Sequence, residues 1–168
     1  MAKAHFVKAA RKDHPAGGVK KGESYYWWAF MQGGRGGPRH YSKTAPRRSQ
    51  LTQSAFCSQQ YDLEDRISDL DKVDGEDLGA ERDSIAEDIR ALGKEQQEKL
   101  DNMPESLQQG PTGEQLQSRV DGCAEWASDL EAVDCDDLEQ RSGESDEDYD
   151  GRIDDVRAGL ADCQYQGD

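Results

Sequence analysis

Between Ser24 and Met31 the chain reads SYYWWAFM, and this run leads into the glycine-dense QGGRGGP of residues 32–38. Five aromatic rings in eight positions favour a pleated, extended backbone, on which large flat side chains pack well. Successive strand side chains point to opposite faces, so Tyr25, Trp27 and Ala29 line one side and Tyr26, Trp28 and Phe30 the other. The glycine-dense loop, with Arg35 at its centre, predicts a chain reversal, and RHYSKT over Arg39 to Thr44 reads as the returning strand. A lone two-stranded hairpin is marginal in water, so one of its faces has to be covered. The expected cover is a helix that begins SQLTQSAF, with Ser49 as its N-cap just after Pro46. Leu51, Phe56, Leu63, Ile67 and Leu70 share one side of that helix by three-and-four spacing. Leu51, Ala55 and Phe56 are then expected to pack on one aromatic face, and the other face has no obvious partner.

Apolar spacing downstream predicts further helices. Leu78, Arg82, Ile85, Ile89, Leu92, Gln96 and Leu100 recur at heptad intervals, with polar entries at two seam positions that point to a modest coiled coil. Breaks at Met103-Pro104 and Gly110-Pro111 separate this helix from another over residues 112–133, whose stripe is Leu116, Val120, Cys123, Ala127 and Leu130 with Trp126 on the flank. Short breaks between amphipathic helices predict an antiparallel hairpin. The strongly acidic residues 134–151 are expected to form a disordered linker, and Ile153, Val156, Leu160 and Cys163 a short final helix.

Charge divides along the same line. Residues 1–50 carry 11 Lys and Arg against Asp13 and Glu23, whereas residues 51–168 carry 10 against 34 Asp and Glu. A basic arm on an acidic body points to polyanion binding by the arm. Leu, Ile, Val and Phe supply only 24 of the 168 residues, too few for a broad globular core, so thin helical seams and unfolded segments are both expected. No apolar run approaches a membrane span, and no signal-like segment opens the chain, so a cytoplasmic protein is expected. Cys57, Cys123, Cys135 and Cys163 show no CxxC pair and read as free thiols.

The candidate site is an aromatic and cationic constellation. Tyr25, Trp27 and Trp28, with Tyr26 and Tyr41 beside them, offer faces on which bases can stack. Arg35, Arg39, Lys43, Arg47 and Arg48 can neutralise phosphates and release counterions. A two-stranded ribbon also fits a DNA major groove. Arg47 and Arg48 beside a helix start oppose the helix dipole unless an anion binds there. The aromatics could instead be only the core of a small domain, or a docking face for a protein. His5, His14, His40 and Cys57 match no metal-ligand spacing, and no catalytic motif is present, so no metal, cofactor or enzymatic activity is expected.

The segments KKGESYYWW, RHYSKT and SQLTQS give the chain a resemblance to small uncharacterised proteins of tailed bacteriophages, chiefly over residues 1–60. An aromatic hairpin leading into a helix also resembles the arm-type DNA-binding domains of phage integrases, which use three strands. Neither resemblance implies a role for a particular residue. The expectation is a mainly α protein with a small N-terminal β-hairpin module followed by an acidic antiparallel helical hairpin. Its parts are a basic flexible arm (1–19), the hairpin with the start of a helix (20–60), the helical hairpin (61–133), and an acidic linker with a short helix (134–168). The expected function is non-catalytic binding of nucleic acid, DNA rather than RNA, by a phage-encoded accessory protein, with a homodimer or protein partner formed through the helices. The alternative is a structural or adaptor coiled-coil protein that binds a host or virion protein.

Overall fold

The computed structural model describes every residue except Gly33, Gly34, Asp137 and Asp168, and only the backbone of Gln32 and Arg35. The fold is mainly α, with an antiparallel sheet near the N-terminus. Two compact units divide the chain, residues 1–62 and 63–168.

Among the described residues the first unit contains three strands rather than the two expected: β1 (His5–Val7), β2 (Tyr25–Gln32) and β3 (Arg35–Ser42), in the order β1-β2-β3. Residues 1–19, expected as an arm apart from the sheet, supply β1, with His5 opposite Trp27 and Val7 opposite Tyr25. A three-residue strand is too short to show an alternation of its own, and it is held by the longer β2. Residues 35–38, expected within the loop, instead belong to β3. Ala29 faces Arg39 but Met31 faces Gly36, so Gly37 and Pro38 together stand opposite the single residue Phe30. This bulge explains how Pro38 sits in a strand: with no N–H to give, proline is confined to edges and bulges.

The alternation of β2 sorts its rings by face. On one face His14 stacks on Tyr41 with ring centroids 4.1 Å apart and lies 5.1 Å from Tyr25. Gly17 comes so close that a Cβ there would lie 2.5 Å from the Tyr41 carbonyl oxygen, so the turn over Pro15–Gly17 closes this end of the face. On the opposite face Trp28 is buried and stacks with His40 at 5.5 Å.

The helix expected from Ser49 begins six residues later. Residues Arg48–Leu51 form a 3-10 turn, and α1 runs over Ala55–Asp69 with Ser54 at its start, where the Ser54 hydroxyl accepts from Cys57 N–H at 3.3 Å. Ser49 is buried and its carbonyl accepts from the Ser58 hydroxyl. Phe56, Leu63, Ile67 and Leu70 are buried as their spacing predicts, while Ala55 is exposed and Leu51 half-buried.

In the second unit α2 (Gly75–Asp101) packs along α4 (Pro111–Ala132), with α3 (Glu105–Gln108) between them in the chain. Arg82 donates to the Val133 carbonyl, whereas Gly93 lies against Cys123, so the two helices run antiparallel. Leu78, Ile85, Ile89, Leu92 and Leu100 are buried, and α4 of the same chain packs along this helix as the expected helical hairpin requires. Gln108 donates to the carbonyls of Leu100 and Met103, closing the end of α2 that would otherwise keep unpaired acceptors. Trp126, expected on a flank, is 1% exposed and donates through Nε1 to the Cys163 carbonyl.

The acidic stretch expected as a disordered linker contains the first turns of a 17-residue helix, α5 (Asp146–Asp162). Ser145 caps it by accepting from Asp148 N–H, and Asp146, Glu147 and Asp148 fill the first turn, where negative charge meets the positive end of the helix dipole. Ahead of it Cys135 and Leu138 are buried. Arg152 on α5 reaches back to the Glu144 carboxylate and the Glu139 carbonyl. Among the described residues no helix is long and apolar enough to cross a membrane.

Candidate nucleic-acid interface

The face of the sheet that Tyr25, Trp27 and Ala29 share is closed at its Tyr25 end and open at the other. There a groove of about 830 Å³ runs beside Trp27, lined also by Lys3, His5, Ala29, Met31, Arg39, Leu51 and Gln53. Backbone pairing fixes its walls. Ala2 N–H donates to the Leu51 carbonyl at 2.7 Å, which brings the residues before β1 alongside those that precede α1.

Trp27 stands in a column of three flat groups. His5, its partner across the β1–β2 ladder, stacks on it with centroids 4.5 Å apart and planes 15° apart. From β3 the Arg39 guanidinium lies 4.5 Å above the same indole. Parallel rings at this separation and a cation over an indole face are both attractive arrangements. His5 and Arg39 are exposed and Trp27 half-buried. Among the described residues neither Arg39 nor Lys3 has a carboxylate partner.

The other expected contact residues divide differently. Tyr25 is packed under His14 at the closed end and does not line the groove. Trp28 is 5% exposed and stacks with His40, so its ring is not open to a base: strand alternation that presents Trp27 buries its neighbour. Lys43 is tied to Glu23 at 2.9 Å. The Glu23 carboxyl is held below its ordinary range, first by the Lys20 backbone N–H and then by Lys43. Arg48 lies over Tyr61 of α1 at 4.1 Å, and Arg47 is exposed at the start of the 3-10 turn. Because α1 begins at Ala55, Arg47 and Arg48 do not immediately precede its first turn, where the sequence placed them. The Arg35 side chain lies outside the described residues, although its backbone pairs with Gln32.

The groove also contains residues that sequence reasoning missed as ligands: Lys3, His5, Met31, Leu51 and Gln53. His5 carried a usable signal, since HFV is a β-compatible triplet within the basic segment, but three residues give no periodicity to read. His14 and His40 stack on Tyr41 and Trp28, so the three histidines serve three separate rings. Among the described residues no three His, Cys, Asp or Glu side chains are placed to hold a metal ion.

The chemistry available is stacking and charge. Among the described residues no Asp or Glu lines this groove, in a chain that carries 36 of them. No family model matches the sequence, and neither a curated protein nor a solved structure does.

Proposed function

We propose that the protein binds nucleic acid through the groove beside Trp27, without catalysing a reaction on it. The observation that carries this reading is the column of His5, Trp27 and Arg39 standing beside Lys3 in a groove that no Asp or Glu among the described residues lines. Flat groups take bases, and cations without acidic partners take phosphates. The unit that holds the groove is basic as a whole, with 11 Lys and Arg against Asp13, Glu23 and Asp62. The likeness to small tailed-phage proteins supports an accessory role of this kind in the cytoplasm of an infected cell.

The test is a salt series on the full chain with labelled DNA. The logarithm of the affinity is expected to fall linearly with the logarithm of salt, by roughly 0.7 to 0.9 per phosphate neutralised. Lys3→Ala is expected to weaken binding uniformly across sequences and to reduce that slope by about one. Absence of binding at low salt rejects the reading. Salt-insensitive capture of a host or virion protein, with no affinity for DNA, supports the adaptor alternative instead.

A further inference from the structure

We infer that the groove beside Trp27 receives an unpaired base, so that the protein selects single-stranded over duplex nucleic acid. This rests on the nucleic-acid reading above and specifies the form of the strand.

Both faces of the Trp27 indole are already occupied. His5 comes from β1 and Arg39 from β3, the strands on either side of β2, so the two approach the ring from opposite sides. An incoming base therefore lengthens the column at an end, on the outer face of the His5 imidazole or of the Arg39 guanidinium, both of which are exposed. Guanidinium planes and histidine rings are surfaces on which splayed bases stack. The groove next to the column is concave and has the mixture of surfaces a base requires. Ala29, Met31 and Leu51 supply apolar wall, and the Gln53 side chain can both donate to and accept from a base edge. Lys3 and Arg39 at the same groove hold the charge for the phosphate that follows.

A duplex cannot use this arrangement. Its bases are stacked on one another and show only their edges, at the bottom of grooves about 12 and 6 Å wide, which are read by elements that protrude. Here the aromatic column lines a depression rather than a protruding element. A strand with free bases can enter the depression; a duplex can meet only its rim.

The experiment uses the full chain and fluorescence anisotropy, with a labelled oligothymidylate and a mixed-sequence duplex of the same length at one low salt concentration. Single-strand affinity is expected to exceed duplex affinity by roughly 5- to 150-fold, the range of one stacked base. Arg39→Ala and His5→Ala, both at exposed positions, are each expected to remove most of that preference, because single-strand affinity falls more steeply than duplex affinity. Circular dichroism establishes that each variant is folded. Equal affinity for the two forms, or a preference that survives both substitutions, overturns the inference and leaves the nucleic-acid reading standing. No binding to either form overturns both.

Discussion

Trp27 and Trp28 are adjacent and chemically identical, yet one is buried and the other stands in an open column. The difference is the two-residue repeat of a strand, which assigns neighbours to opposite faces. Burial has a chemical consequence at another residue. Cys123 on α4 has no exposed surface, and desolvation pushes its thiol up to about 11, against the opposite pull of Arg119. The thiolate is the nucleophile, so the folded protein is expected to leave Cys123 unmodified by iodoacetamide at pH 8. Half-buried Cys57 is the internal comparison. Peptide mass spectrometry is the check: Cys123 gains the label only when urea is present, and equal labelling of both in the native chain refutes the assignment.

At the scale of the element, the contact between α2 and α4 is decided by small residues. A Cβ on Gly93 would lie 2.9 Å from Cys123 Cβ, closer than two such carbons approach without a shift. Gly93→Ala is therefore expected to destabilise the protein by about 1–3 kcal/mol through overpacking, less the ~1 kcal/mol gained in helix propensity. Gly79 in the same helix has 3.5 Å of clearance to Cys135 Cβ, so Gly79→Ala is expected to be neutral or to stabilise by up to ~1 kcal/mol. Urea midpoints of the two variants rank the effects, and a Gly93→Ala protein as stable as Gly79→Ala contradicts the packing. These helices were legible in the sequence because Leu78, Ile85, Ile89, Leu92 and Leu100 repeat at a spacing only a helix uses, and β2 was legible because five of its eight residues carry rings, which favour a strand. Three features were not legible. His5–Val7 is too short to show a period. Trp126 lies one position off the expected stripe, and only the Cys163 carbonyl explains how its ring N–H is satisfied inside. The start of α5 was read as disorder because composition counts charges without their positions. Asp146, Glu147 and Asp148 repel in a coil, yet they are stabilising behind the cap at Ser145.

For the whole molecule, with 36 Asp and Glu, acid is the condition that exposes which carboxylates do structural duty. Glu144 is one of them. The Arg152 guanidinium, then the Arg141 backbone N–H, hold its carboxyl below the ordinary value of 4.5. A carboxyl whose folded value is depressed contributes stability above its unfolded value and loses it as pH falls through the folded one. Glu144→Gln is therefore expected to lower the melting temperature at pH 7. The gap between the variant and the parent narrows below pH ~4.5 and closes once both are uncharged at that position. Melting curves across that range measure it, and a gap that stays constant down to the most acid point removes Glu144 from the account. The open groove followed from the sequence only in part. Alternation predicted that one aromatic face would lack a cover, but the walls of the groove come from residues 1–5 and 51–53, which nothing local in the sequence places together.

The bulge at Gly37 and Pro38 also bears on life in a crowded solution. Outer strands of a sheet invite other chains to zip onto them, and β3 is the longer of the two outer strands here. A missing amide hydrogen and an extra residue midway along β3 interrupt any continuous ladder, and β1, with three residues, is too short to seed one. The same irregularity that lets β3 deliver Arg39 to the indole is thus one that disfavours the addition of a further strand along it.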